Sequence, residues 1–261
     1  MSSCLGIALT KIELAPRLDL ISAIMVFCDL KKAFNSISRS TLVREAQRIC
    51  GAGRLMMTRF MGRTYTFEGK VRGQDANRGV DAGTPLSVWG FGNTINTDHS
   101  TTTVNKGLLC HPNYSDDRNV TGSGTYVESG LFQKGLCCKR GLTRNSSECE
   151  WEQNLRAQGE NAHPCAYCYS LREGLEFHET GKKKPEALCF TQKVKKGRKS
   201  VETKIPDGAT SLFLGSTDIK LVDRQKVLGL NIATAPKSGT ERDFTCPSKQ
   251  KTHTNQAEKI R

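Results

Sequence analysis

The chain has 261 residues, enough for one large domain or two small ones with a buried core, and its 39 Lys and Arg outnumber 26 Asp and Glu. The net charge of +13 fits a polyanionic partner such as nucleic acid, with a solvated lysine surface as the plainer account. No run approaches the roughly 18 apolar residues of a membrane span and no secretory signal is visible, which argues against a membrane partner and a secreted disulfide scaffold.

The expectation is therefore an intracellular protein, nuclear or cytoplasmic and not secreted, with its 11 cysteines reduced. Residues 1–19 read as a lead-in. Residues 18–29 read as a strand, because 21–28 are apolar and β-branched, and Asp29 stands at its end. Ser38 or Ser40 caps a helix in which Leu42, Val43, Ala46 and Ile49 recur at helical spacing, with Gly51 as its stop. Leu55, Met56, Phe60 and Met61 suit a second helix packed into the core, and residues 63–71 suit a strand. Residues 107–111 and 118–122 flank an acidic pair as the two arms of a hairpin would. Apolar periodicity fades over 136–182, which reads as a loop or poorly ordered insertion. Basic residues dominate 182–199, where the run 193–199 is either a backbone-binding stripe or a solvated charge run. Strand-like alternation returns over 218–232, and residues 234–261 read as a disordered, charged tail.

The acidic pair carries the chemistry. Tyr114-Ser115-Asp116-Asp117 sets two adjacent carboxylates behind an aromatic residue at the tip of the expected hairpin. Asp29, at the end of a buried strand, is the third. Three carboxylates held together repel strongly unless cations neutralise them, and paired divalent metals are the machinery of nucleotidyl transfer.

Four segments, taken in order, carry a resemblance. Residues 26–36, Val-Phe-Cys-Asp-Leu-Lys-Lys-Ala-Phe-Asn-Ser, look like the first palm motif of reverse transcriptases. Arg78-Gly79-Val80-Asp81-Ala82-Gly83-Thr84-Pro85-Leu86-Ser87 resembles the motif that this family writes Gly-Val-Pro-Gln-Gly-x-x-Leu-Ser. Residues 114–117 resemble its Tyr-x-Asp-Asp motif. Lys226-Val227-Leu228-Gly229-Leu230 resembles the Lys-x-Leu-Gly segment of LINE-type (non-LTR) retrotransposon enzymes. Coverage runs over about residues 20–235 and is patchy between 125 and 182.

The resemblance implies an α+β polymerase palm, an antiparallel sheet with helices packed on one face. Its core would span 20–135, its end 183–233, and its fingers and thumb would be incomplete. It implies RNA-directed DNA polymerisation on an RNA template and DNA primer from deoxynucleoside triphosphates. Asp29, Asp116 and Asp117 would be the catalytic residues, binding Mg²⁺ or Mn²⁺ as hard oxygen ligands do. Phe34 would lie under the sugar of the incoming nucleotide, with a buried core phenylalanine as the equal alternative. Gly79 and Gly83 would let the backbone approach template and nucleotide, and a helix over 86–95 would follow, weakened by Gly90 and Gly92 at about 1 kcal/mol each. Lys184 would help protonate pyrophosphate, with the register open among Lys182, Lys183 and Lys184.

The departures define the alternative. Asp81-Ala82 stands where the family has Pro-Gln, Asn35 stands where it has an aspartate, and only about 28 residues precede Asp29, too few for fingers. A retroelement remnant that only binds nucleic acid is the expectation these support. A small structural zinc protein is the second alternative, with His163, Cys165, Cys168 and Cys149 as ligands, from the Cys-x-x-Cys spacing. The His-x-Glu half of a zinc deaminase is missing, since Thr101 and Asn113 follow His99 and His111. Cys137-Cys138 reads as a small apolar site.

Overall fold

The structure is a computed structural model that describes residues 22–60, 65–67, 70–72, 77–80, 84–102, 109–110, 117–137, 153, 156–159, 165–191, 193–227 and 230–234. The lead-in, the tail, Tyr114, Asp116, Gly83, His163 and Cys149 lie outside the described residues.

The chain folds as an α+β protein around one central strand. Strand β1 (Ala23–Lys31) is continuously apolar to Cys28 because both of its faces are covered, and Ala23 through Cys28 are all buried. The next strands in the chain are the short hairpin β2 (Tyr65–Phe67) and β3 (Lys70–Arg72), which replaces the single strand expected over 63–71. Then come β4 (Leu109–Cys110), β5 (Asp117–Ser123), β6 (Glu176–Phe177) and β7 (Glu186–Phe190). Three hairpins and one further strand complete the set: β8 (Lys193–Lys196) with β9 (Lys199–Glu202), β10 (Phe213–Leu214) with β11 (Thr217–Asp218), β12 (Lys220–Leu221), and β13 (Arg224–Val227) with β14 (Leu230–Ala233).

The main sheet runs β12-β7-β1-β5-β4, with β6 pairing the far end of β1. Every pairing in it is antiparallel except β12 with β7. Side chains alternate across a strand, so β1 serves two cores. Ile24, Val26, Cys28 and Leu30 join a helical layer, while Ala23, Met25 and Phe27 pack with Leu188, Phe190, Val227 and Ile232. The β13–β14 hairpin thus covers part of the face opposite the helices.

The helical layer follows the sequence pattern closely at first. Helix Arg39–Cys50 begins after Ser38 and stops at Gly51, whose φ of 68° lets its N–H reach back to the carbonyls of Ala46 and Gln47. In helix Gly53–Phe60 only one stripe packs: Met56 is buried while Leu55 and Met57 face solvent. Helix Pro85–Thr102 forms in spite of Gly90 and Gly92 and outruns its expected end. Gly90 is a packing device, since a Cβ there would stand 2.9 Å from the Met56 methyl and 3.3 Å from Leu42. Among the described residues, no helix is long and apolar enough to cross a membrane.

Residues 165–182 depart from the loop expected over 136–182. Helix Ala166–Arg172 buries Ala166, Tyr167, Cys168 and Ser170, and Tyr167 stacks on Phe177 with ring centroids 6.0 Å apart. The helix packs around Arg118, itself 1% exposed. Arg118 donates to the carbonyl of Ala166 and to the Ser170 hydroxyl, and lies 5.8 Å from the Phe177 ring centre. A helix built on tyrosine, cysteine and serine around a buried guanidinium has no apolar stripe to announce it. Burial pulls Arg118 down to about 10, still charged near neutral pH.

Buried thiols give the fold an alkaline limit. Desolvation pushes Cys28 up to about 12, against the opposing pull of Arg118, and Cys189 up to about 11. Above the ordinary thiol value of 9.0 the unfolded chain releases protons that the native chain keeps, so stability falls as pH rises toward those folded values. Denaturant midpoints should drop between about pH 9 and pH 11. At pH 8, alkylation followed by peptide mapping should label exposed Cys50 well before Cys28 or Cys189; equal labelling of all three would contradict the burial.

Candidate functional site

Asp29 ends the apolar part of β1 and Asp117 opens β5, and the antiparallel register makes the two residues Cα partners. Asp116 precedes Asp117 in the sequence and lies outside the described residues. Position 117 alternates in phase with Asn119, a residue that lines the cleft beside Asp29. Like charges at directly opposed positions are unfavourable, so this register needs a neutralising group.

Part of that neutralisation is visible. Oδ2 of Asp29 accepts from Nζ of Lys183 at 2.6 Å, while Oδ1 is buried without a hydrogen-bond partner among the described residues. An orphaned carboxylate oxygen costs desolvation energy unless a donor or cation meets it. Hard carboxylate oxygens are the donor type that Mg²⁺ and Mn²⁺ prefer, so the chemistry of Asp29 fits such an ion. Among the described residues, no three His, Cys, Asp or Glu side chains are grouped to hold a metal.

The cleft above Asp29 has a volume of about 210 Å³ and is lined also by Asn119, Lys182, Lys183, Lys184 and Lys226. Four lysines against one carboxylate make it a cationic recess. Two separate segments build that charge. Lys182 and Lys183 belong to a 3₁₀ turn (Gly181–Lys183) leading to Lys184 and β7, and Lys226 belongs to β13. The Lys-x-Leu-Gly segment therefore returns the chain to the cleft that Asp29 opens.

The turn after Asp29 is held by backbone contacts. Lys32, with φ 49°, is the one non-glycine at positive φ among the described residues, and it redirects the chain into the short helix Ala33–Ser36. Gly79 closes against this turn: its N–H donates to the Ile37 carbonyl at 2.8 Å, and Val80 N–H donates to the Phe34 carbonyl at 2.7 Å. Nε of the buried Arg39 donates to the Gly79 carbonyl at 2.6 Å.

The individual expectations fare differently. Gly79 has φ 81°, and a Cβ there would sit 2.8 Å from the Asn35 carbonyl oxygen. The close approach it permits in this structure is to the chain's own backbone. Phe34 is half-buried against the helical layer and stacks on Phe91, ring centroids 4.7 Å apart. Lys184 is exposed on the cleft wall, and Lys183 is the lysine that reaches Asp29. Cys165 and Cys168 are buried at the start of helix Ala166–Arg172, and the Cys137 sulfur accepts from Gly215 N–H at 3.3 Å. Sequence reasoning missed Asn119 and Arg118, although the alternation running on from Asp117 assigns them to opposite faces. Neither protein-family models nor curated protein sequences give a match to this chain.

Proposed function

We propose that the chain is a reverse transcriptase-like palm of LINE-type retrotransposon descent, a metal-dependent nucleotidyl transferase that extends a DNA primer on an RNA template. The observation that supports it most is the pairing of Asp29 with Asp117, which sets the first and third motifs of the resemblance side by side. The arrangement of Asp29, Asn119 and Lys226 around one cleft supports it further.

In this reading Asp29, Asp116 and Asp117 would hold Mg²⁺ or Mn²⁺. Bound there, a pair of divalent ions would lower the pKa of the primer 3′-hydroxyl and neutralise charge on the triphosphate. The chain's own groups do the rest. Asp29 presents one buried, unsatisfied oxygen, and Lys183 holds the other until a stronger cation competes for it. Lys182, Lys184 and Lys226 line the path that a polyphosphate would take. By the resemblance Phe34 would lie under the nucleotide sugar, and Gly83 would give the backbone access to the template.

Asp81-Ala82 favours a second reading, a remnant that binds nucleic acid without extending it. Primer extension on an RNA template with Mg²⁺ separates the two, comparing wild type with Asp116→Asn. Extension by wild type alone supports the polymerase. Equal extension by both removes the assigned site, and RNA binding without extension by either supports the remnant.

A further inference from the structure

We propose that the β8–β9 hairpin is a nucleic-acid arm that grips the phosphodiester backbone of a duplex, at the end of the sheet remote from Asp29. Lys193, Lys195, Lys196, Arg198 and Lys199 place five positive charges within seven residues, with no acid among them. The fold turns this run into a ribbon. Lys193 pairs with Glu202, Val194 with Val201, Lys195 with Ser200 and Lys196 with Lys199, around a two-residue loop of Gly197 and Arg198. Gly197 has φ 62°, the positive value that two-residue hairpin loops require.

Lysine directly opposite lysine at the tip is an arrangement that weakens a hairpin. An isolated two-stranded ribbon is already marginal in water. Residues 197–202 are all exposed, Val201 among them at 49%, so this arm of the ribbon adds no buried surface to offset the cost. Glu202, the acid of the hairpin, is at its base and accepts from the Thr191 hydroxyl at 2.8 Å. The charge at the tip is therefore without a neutralising acid in the hairpin, and a polyanion reverses the cost by taking up both lysines.

Chemistry selects the polyanion. Residues 193–202 contain no Asn or Gln to read adenine edges, and four of the five cations are lysines that act as point charges on phosphates, so the contacts are chiefly to backbone, with Arg198 the group best shaped to read a guanine edge. A grip on phosphates needs no entry into a groove, so it takes a hybrid duplex as readily as B-form DNA. The hairpin carries no aromatic or leucine anchor of the kind that seats a basic element in a lipid surface. Its base is fixed by buried Phe190 and Pro206 at the Ala23 end of β1. Asp29 is six positions further along that strand, about 20 Å away. The arm would hold duplex well away from the cleft, and it stands independently of any chemistry there.

The test is duplex binding by the full chain, with neither nucleotide nor divalent cation present, so that it reports on the arm alone. The probe is a mixed-sequence 20-base-pair RNA–DNA hybrid titrated between 0.05 and 0.3 M NaCl, with the sizes and concentrations set on the order of what phosphate-dominated binding needs. Lys196→Gln/Arg198→Gln/Lys199→Gln should weaken binding roughly 10- to 100-fold at 0.15 M salt and shrink the log–log salt slope by about 2 to 3. Arg54→Gln/Lys134→Gln/Lys220→Gln removes the same charge elsewhere and should change affinity by less than about threefold. Equal losses in the two variants, an unchanged slope in the first, or stronger binding of wild type to phosphatidylserine vesicles than to the hybrid would each overturn the proposal. Since the tip touches no core, circular dichroism melts of both variants should match wild type.

Discussion

Asp29→Asn is expected to abolish primer extension while leaving the protein folded. The substitution keeps side-chain size but removes the charge that opposes position 117 and draws Lys183 to 2.6 Å. If Asp29 holds a divalent ion, the rate should fall by more than about 100-fold, because even outer-shell partners of a bound metal commonly cost 10- to 100-fold. Stability should move the other way or not at all. Relief of like-charge opposition across the β1–β5 pair is worth about 0.2–1 kcal/mol, and Lys183, already largely exposed, returns to water at little cost. The diagnostic is the split: activity lost, melting temperature retained. A variant that extends primers at the wild-type rate would remove Asp29 from the site. A variant that loses activity only because it melts several degrees lower would reduce Asp29 to a structural residue.

Gly79→Ala should be the most destabilising single-methyl change near the site. The left-handed backbone at φ 81° costs an L-residue about 1–2 kcal/mol, and crowding the Asn35 carbonyl at 2.8 Å adds roughly 1–3 kcal/mol. A loss of about 2–5 kcal/mol is a large share of the stability of an ordinary domain. It should lower the urea midpoint by about 1 M or more with an unchanged slope. Gly90→Ala is the contrast. There the new methyl meets the flexible end of Met56, and the helix gains about 1 kcal/mol of propensity, so stability should stay within about 1 kcal/mol of wild type. If both substitutions cost the same, backbone crowding at the Lys32 turn is not what fixes Gly79.

The sequence was most readable where one force acted alone. β1 was legible because burial on both faces leaves an unbroken apolar run, and helix Arg39–Cys50 because Ser38 and Gly51 punctuate its stripe. The acidic hairpin was legible from Asp116-Asp117 and its flanks, and β4 does pair with β5 as Leu109 opposite Thr121. Helix Ala166–Arg172 was hidden because its packing partner is a guanidinium, and hydropathy does not register a buried Arg118. Gly90 reads as a breaker because the neighbours that reward its missing side chain, Met56 and Leu42, lie over thirty residues earlier, whereas a Cβ at Gly92 would meet nothing within 4 Å. Within the lysine triplet, spacing alone could not single out Lys183, since the choice depends on how the 3₁₀ turn aims each side chain. The basic run 193–199 could not be told from solvated coil until Gly197 was seen to close a register.

The position of β1 in the sheet also dictates when the protein can begin to fold. Its two flanking partners come from much later in the chain, Asp29 pairing with Asp117 and Ala23 with Phe190. At bacterial to eukaryotic elongation rates of about 5–20 residues per second, the strand waits roughly ten to thirty seconds on the ribosome for its second neighbour. Throughout that interval a nascent Ala-Ile-Met-Val-Phe-Cys run is uncovered, the kind of β-prone, uncharged window that seeds aggregates. Recombinant yield should therefore depend on slow synthesis at low temperature or on chaperone supply, and polypeptides cut short of residue 190 should collect in the insoluble fraction.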